Sequence, residues 1–204
     1  MRVLKIYENN INERHIAEAV DALRDGHIIL YPTDSVYGFA VDSLNKKAIE
    51  RLCHLKGLDP EKNLLSIVCS DLSQASEYVR IDNNAFSILK KHLPGAFTFI
   101  LPASTRLPKI FKSRKTIGLR IPDNEIARKL AETLGNPLLS SSVTIDEDYP
   151  EASAEPENLA LTYNNDVAVA IDGGQGGIVN STLIDLTDSS EPIVLREGIA
   201  TFQN

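Results

Sequence analysis

Apolar runs of strand length recur along the whole chain, and several are separated by stretches of helical spacing that open on a capping residue and close on glycine. That alternation limits the fold more than any single motif does. Asn12 precedes Ile16, Val20 and Leu23, which share one helical face, and Gly26 supplies the stop. Asn45 precedes Ile49, Leu52 and Leu55, with Lys56 in the last turn and Gly57 just beyond it. Asp123 or Asn124 opens a helix that runs to Leu134 and closes at Gly135. Further helical segments are expected at Leu72–Tyr78, at Asn84–His92 before Pro94-Gly95, and at Asn158–Tyr163. Strands are expected at Arg2–Ile6, His27–Tyr31, Leu64–Val68, Ala96–Leu101 and Thr116–Ile121, and again at Leu138–Val143, Val167–Ile171, Thr182–Leu186 and Ile193–Leu195. Interleaved helices and strands predict an α/β layered fold. Some connections are too short for a crossover helix, so the sheet should be mixed. The acidic segment 144–157, with two prolines, reads as an exposed loop.

A chain of 204 residues without internal repeat or linker predicts one compact domain over 1–204. No apolar run approaches the roughly 18 residues of a membrane span, and the first residues lack the shape of a signal peptide. The expectation is a cytoplasmic protein with no membrane partner. Cys53 and Cys69 fall on different elements and match no metal spacing, so they are expected to pack as thiols. No pair of histidines has zinc spacing, and no metal site is expected. Charge is uneven: residues 1–140 carry 20 Lys+Arg against 16 Asp+Glu, and residues 141–204 carry one arginine against 12 acids. The overall net charge of −7 argues against general duplex binding. Arg106–Lys115 is locally basic, with five cations in ten residues, and fits either a solvated loop or attraction of polyphosphate or RNA.

The stretch Tyr31-Pro-Thr-Asp-Ser-Val-Tyr-Gly38 is the sharpest motif. Pro32 should end the strand before it, since proline has no N–H for a ladder bond. Thr33, Asp34 and Ser35 then present short polar side chains in a turn, and a helix ending at Lys56 is expected to follow. A polar turn leaving a strand, followed by a helix that carries a cation, suits a phosphate or carboxylate. An ordinary strand–turn–helix connection is the alternative. The stretch resembles the signature of the threonylcarbamoyl-adenylate synthase family, typically Tyr-Pro-Thr-Asp-Thr-Val-Tyr-Gly-Leu, with Ser35 and Phe39 as the differences here. The resemblance continues through Thr116–Pro122, Pro137–Ser142, Gly173-Gly174, Ser181–Asp185 and Arg196–Gly198. It implies a YrdC/RibB-like fold: a twisted open mixed sheet with flanking helices around one large concave cavity.

Walker and Rossmann glycine patterns are absent, and so is a nucleophile elbow. Gly173–Gly177 is glycine-rich but opens no helix, so it reads either as a tight turn or as a weak phosphate cradle. What remains is a set of hydroxyls and cations at strand ends, where ligands of open α/β sheets bind. The resemblance implies condensation of threonine, bicarbonate and ATP, with Mg²⁺ on the phosphates, to give threonylcarbamoyl-AMP and pyrophosphate for modification of an adenosine in tRNA. Lys56 and Arg120 are expected to act in catalysis, and Thr33, Ser35 and Tyr37 to hold the amino acid. Lys56, Ser140, Ser142, Ser181 and Arg196 are expected to hold the nucleotide. Two positions depart from the active pattern. Leu58 stands where active members carry the arginine of Lys-x-Arg, and Thr144 where they carry the asparagine of Ser-x-Asn. Both changes occur in the divergent, YciO-type branch, which this chain resembles most. Two classes therefore stand: an adenylate-forming synthase, or a weakly active or non-catalytic module of the same fold that binds nucleotide or double-stranded RNA.

Overall fold

The computed structural model describes residues 1–108 and 115–203. In chain order the elements are β1 (Arg2–Lys5), α1 (Glu13–Arg24), β2 (Ile29–Tyr31), β3 (Gly38–Asp42), α2 (Lys46–Lys56), β4 (Ser66–Val68), α3 (Leu72–Ser76) and α4 (Asn83–His92). They continue with β5 (Phe97–Pro102), β6 (Thr116–Arg120), α5 (Glu125–Leu134), β7 (Leu138–Ser142), α6 (Pro156–Thr162), β8 (Val169–Asp172), β9 (Thr182–Asp185) and β10 (Ile193–Arg196). The helices start where short polar side chains satisfy free backbone donors. Asn12 accepts from Arg14 N and His15 N, Asn45 from Ala48 N, and Asn124 from Ala127 N. Gly57 and Gly135 end α2 and α5 in the left-handed region, at φ 62° and 85°.

Among the described residues, the ten strands form one mixed sheet in the order β1-β8-β2-β3-β7-β4-β6-β5-β9-β10. Parallel pairs join β1 to β8, β2 to β8, β4 to β6 and β5 to β9, and the remaining neighbours are antiparallel. Side chains alternate between the two faces. One face presents Leu30, Phe39, Ile67, Leu119 and Leu139 to a core shared with α2, α3, α4 and α6. The other presents Ile29, Tyr31, Ala40, Val68, Leu138 and Ile171 to α1 and α5. Those two helices cover only part of that face.

The structure corrects the expected course after the Tyr31–Gly38 motif. The chain does not pass from the turn into a helix. It returns as β3, antiparallel to β2, with Tyr31 opposite Gly38. Pro32 does end β2, but the turn joins two strands of a hairpin. Asp34 and Ser35 are also buried rather than exposed: Ser35 is 2% exposed and the Asp34 side chain 8%. The acidic segment 144–157 contains a short 3-10 turn, Pro150–Ser153, and buries Ser153 and Ala154. Cys53 and Cys69 are buried free thiols, both pushed up in pKa by that burial. Among the described residues, no helix is long and apolar enough to cross a membrane. Residues 109–114 of the basic stretch lie outside the described residues. Of the rest, Arg106 pairs with Glu77 and lies 5.6 Å from the centre of the Tyr78 ring.

Candidate functional site

A concave site forms where the helix layer over the sheet stops. On the face packed by α1 and α5, Val68 and Leu138 are core residues. Two positions along the same strands, on the same face, stand Ser66 and Ser140, which are register partners. Ser66 in turn faces Gly118. A Cβ on Gly118 would overlap Ser66 Oγ and crowd Thr98 Cγ2 at 3.1 Å, so glycine keeps this floor low. The resulting cavity has a volume of about 530 Å³. Serine, threonine and asparagine side chains line much of it, including Ser66, Thr98, Ser140, Ser142 and Asn180. Leu58, Leu64, Leu183 and Ile145 supply an apolar wall. Its charged lining residues are Arg120 and Arg196, both cations.

Arg120 comes from the end of β6 and is 6% exposed. Its Nη2 donates to Asp34 Oδ1 at 2.7 Å and to Ser35 Oγ at 3.0 Å. Asp34 Oδ2 accepts from Asp123 N at 2.7 Å, just before α5. The motif turn thus locks one edge of the guanidinium from behind. Among the described residues, Arg120 Nε is buried and has no hydrogen-bond partner, which leaves an unspent donor on a cavity-lining residue. Arg196 is anchored through Nη2 to Ser181 O at 2.9 Å. Although Arg196 is solvent-exposed, partial desolvation first, and then the charge of Arg120, lower its pKa. Two cations that line one cavity and raise each other's electrostatic cost favour an anion beside them.

Lys56 reaches the cavity edge from the last turn of α2. Its Nζ donates to Thr144 Oγ1 at 2.9 Å and lies 5.6 Å from the centre of the Phe39 ring. Burial lowers its pKa. Ser140 stands in a relay: Tyr31 O–H lies 2.7 Å from Ser140 Oγ, which donates to Phe39 O at 3.1 Å. Ser181 Oγ pairs with Thr98 Oγ1 at 2.7 Å.

Of the residues singled out in the sequence, Arg120, Ser140, Ser142, Ser181 and Arg196 line one cavity, and Lys56 joins it through Thr144. Ser35 sits behind Arg120. Thr33 and Tyr37 do not line the cavity. Thr33 Oγ1 donates to Val36 O at 2.7 Å and accepts from Ser35 N at 3.1 Å, which shapes its own turn. Tyr37 O–H donates to Gly174 O at 2.7 Å and accepts from Gly173 N at 3.1 Å. The N–H groups of Gly174, Gly176 and Gly177 go to Asp172 Oδ1, Ala154 O and Ser35 O. The glycine run is therefore a tight turn packed on the motif, with these donors already satisfied, and not a phosphate cradle. His54 faces a separate groove with His27 and Arg51. Sequence reading missed Asp34 as the partner of Arg120. The available signal was the carboxylate between two hydroxyls in the motif.

The Sua5/YciO/YrdC family model, described by the words telomere recombination, matches residues 21–198. The chain belongs to this family. The Escherichia coli protein YciO, described as uncharacterized, is 39% identical over 197 residues, 95% of this chain and 94% of its own. The crystal structure of E. coli YciO superposes with a TM-score of 0.89 at 38% identity and covers 98% of both chains. A crystal structure of Pyrococcus abyssi Sua5 complexed with L-threonine gives a TM-score of 0.84 at 29% identity, over 97% of this chain and 58% of that one. The chain thus spans little more than half of that Sua5. A threonylcarbamoyl-AMP synthase of Chromohalobacter salexigens is 32% identical over 174 residues, 84% of this chain and 92% of its own. The Sua5/YciO/YrdC relatives therefore include both threonylcarbamoyl-AMP synthases and a YciO protein of matching length.

Proposed function

We propose that this chain binds ATP and an amino-acid carbamate in the cavity and forms an adenylate, threonylcarbamoyl-AMP, as its synthase relatives do. The observation that carries the reading is the charge of the cavity. The charged residues lining it, among the described residues, are Arg120 and Arg196, set among hydroxyls and facing no lining carboxylate. In the reaction the threonine amine adds to CO2 from bicarbonate and loses a proton to give a carbamate. A carbamate oxygen then attacks the α-phosphorus, and pyrophosphate leaves. No protein nucleophile is required. The cavity must hold several anions together and neutralise charge that develops as the bond to pyrophosphate breaks. Arg196 and Lys56 suit the phosphates. Arg120, held by Asp34 and with Nε unspent, suits the carbamate or α-phosphate. Ser142 and Ser181 offer hydroxyl donors, while Ser140, whose O–H goes to Phe39 O, shapes the floor beside them. Mg²⁺ enters as the counter-ion of ATP. No group of three His, Cys, Asp or Glu side chains able to hold a metal ion occurs among the described residues, so the ion would be carried by the phosphates.

The test is incubation with MgATP, threonine and bicarbonate, following pyrophosphate and the adenylate. Release of both supports the reading. Absence of pyrophosphate, together with no heat of ATP binding at millimolar nucleotide, overturns it. A second reading is favoured by one observation: Leu58 and Thr144 both line this cavity, where active members carry arginine and asparagine. Leucine lacks the planar fork that grips a carboxylate or phosphate. A module that holds nucleotide, or double-stranded RNA, without turnover follows. Its signature would be ATP binding with no pyrophosphate release.

A further inference from the structure

Arg196 lies on the least supported strand of the sheet. Among the described residues, β10 is an edge strand bonded to β9 alone, its four residues are all exposed, and its register shifts between Val194 and Arg196. Core packing therefore does not place this side chain. Beyond the Nη2 bond to Ser181 O, its support comes from the segment that follows. Gly198 lies against the backbone of 180–182, so closely that a Cβ would overlap Asn180 O and Ser181 C. Gly198 N donates to Thr182 Oγ1 at 3.0 Å, Ile199 N donates to Asn180 O at 3.0 Å, and Thr182 Oγ1 donates to Ala200 O. Further on, the Phe202 ring sits 4.8 Å from His92 of α4 and 6.4 Å from Phe99 of β5. Gln203 O accepts from Lys91 Nζ at 3.1 Å and from His92 Nε2 at 2.9 Å. The segment is thus tied at one end to the wall that carries Asn180 and Ser181, and at the other to α4, on the face of the sheet packed by α2, α3 and α6.

We propose that residues 198–203 form a strap that positions Arg196 at the cavity, with Phe202 as its anchor and Gly198 as its point of close contact. Neither residue touches the ligand; both act through Arg196. The proposal rests on the reading of the cavity as an anion site. An unanchored strap leaves Arg196 on a frayed edge, and the segment must be ordered again at each binding event, which opposes binding.

A double-mutant cycle tests it. Phe202→Ala should weaken MgATP binding by about fivefold in the parent and have no further effect in Arg196→Ala, because contacts made through one residue are not additive. Phe202→Leu, which keeps apolar bulk, should restore the affinity. Gly198→Ala should reproduce the loss by lifting the strap. A second readout needs no nucleotide: phenylglyoxal modification followed by peptide mass spectrometry. Labelling of Arg196 should accelerate several-fold in Phe202→Ala, while labelling of the exposed Arg2 stays constant. Additive losses in the cycle, or an Arg196 labelling rate unchanged by Phe202→Ala, would overturn the strap. If the parent binds no ATP, the nucleotide reading fails on its own and the labelling rate still decides the strap.

Discussion

Asp34→Ala would leave a guanidinium stranded where a pair now sits. The side chains of Arg120 and Asp34 are 7% and 8% exposed, with Nη2 2.7 Å from Oδ1. Removing one member of a buried pair costs about 3–5 kcal/mol, because the survivor stays desolvated without its counter-charge. The variant also releases Asp123 N from Asp34 Oδ2. Asp123 is exposed, so water takes over that N–H and the added cost is small. The total of about 3–5 kcal/mol corresponds to a fall in Tm of about 6–20 °C for a chain of this size. Replacing both partners by apolar residues, Asp34→Ala with Arg120→Met, should recover much of the loss, since no buried charge then remains. Urea unfolding of the parent, both single variants and the double variant at neutral pH measures the cycle. If Asp34→Ala costs less than about 1 kcal/mol, the pair behaves as a surface contact, and the claim that the motif turn locks Arg120 from behind is wrong. A double variant as unstable as the sum of the singles would refute the same claim by a second route.

Leu58→Arg adds a guanidinium to the cavity and Thr144→Asn exchanges a hydroxyl for an amide, and together they should raise pyrophosphate release by roughly tenfold to a hundredfold, the range of a charge-assisted contact worth about 1.5–3 kcal/mol. An unchanged rate in a folded variant would favour the binding module. Burial holds the Lys56 amine below its usual pKa, so the folded state carries a penalty that is full below the folded pKa and fades as pH rises toward the unfolded value. Lys56→Met should weaken ATP binding and flatten the alkaline end of the stability profile, and a profile that superimposes on the parent's would count against that burial. Tyr37, pushed up to about 12 by burial, stays a neutral donor through physiological pH. Tyr37→Phe strips partners from Gly173 N and Gly174 O and should cost about 1–3 kcal/mol. Faster hydrogen exchange at the Gly173 amide is the check, and unchanged protection would contradict the bond.

Elements with local punctuation were legible in the sequence. Asn12, Asn45 and Asn124 cap the helices, and Gly57 and Gly135 end them, because these residues solve a backbone problem within one turn of chain. β3 was not legible. Gly38–Asp42 is buried almost along its length, and a strand covered on both faces loses the alternation that would reveal its period. Segment 144–157 misled through its charge: Asp146 N binds Ser153 Oγ, and Ala154 O accepts Gly176 N, so part of a polar stretch turns inward. In the site, Arg196 stood out as the lone cation of an acidic third of the chain, and it does line the cavity. The pairing of Arg120 with Asp34, 86 residues away, left no mark in spacing. It depends on parallel β4 and β6 bringing the end of β6 beside the hairpin, which only the assembled sheet specifies.

The helix layer that stops partway across one face divides each central strand along its length. In β7, Leu138 is packed under α1 and α5, and Ser142, four residues on, faces the cavity. A change at Leu138 must be matched by its neighbours, because a close-packed interior transmits any change of volume. A change at Ser142, or at the exposed Thr144 beyond it, meets solvent or ligand and asks nothing of the interior. Chains built on this plan can therefore exchange rim side chains such as Ser142 and Thr144 while their folding energy stays nearly constant, whereas Arg120, buried against Asp34, ties what such a chain does to how it stands up.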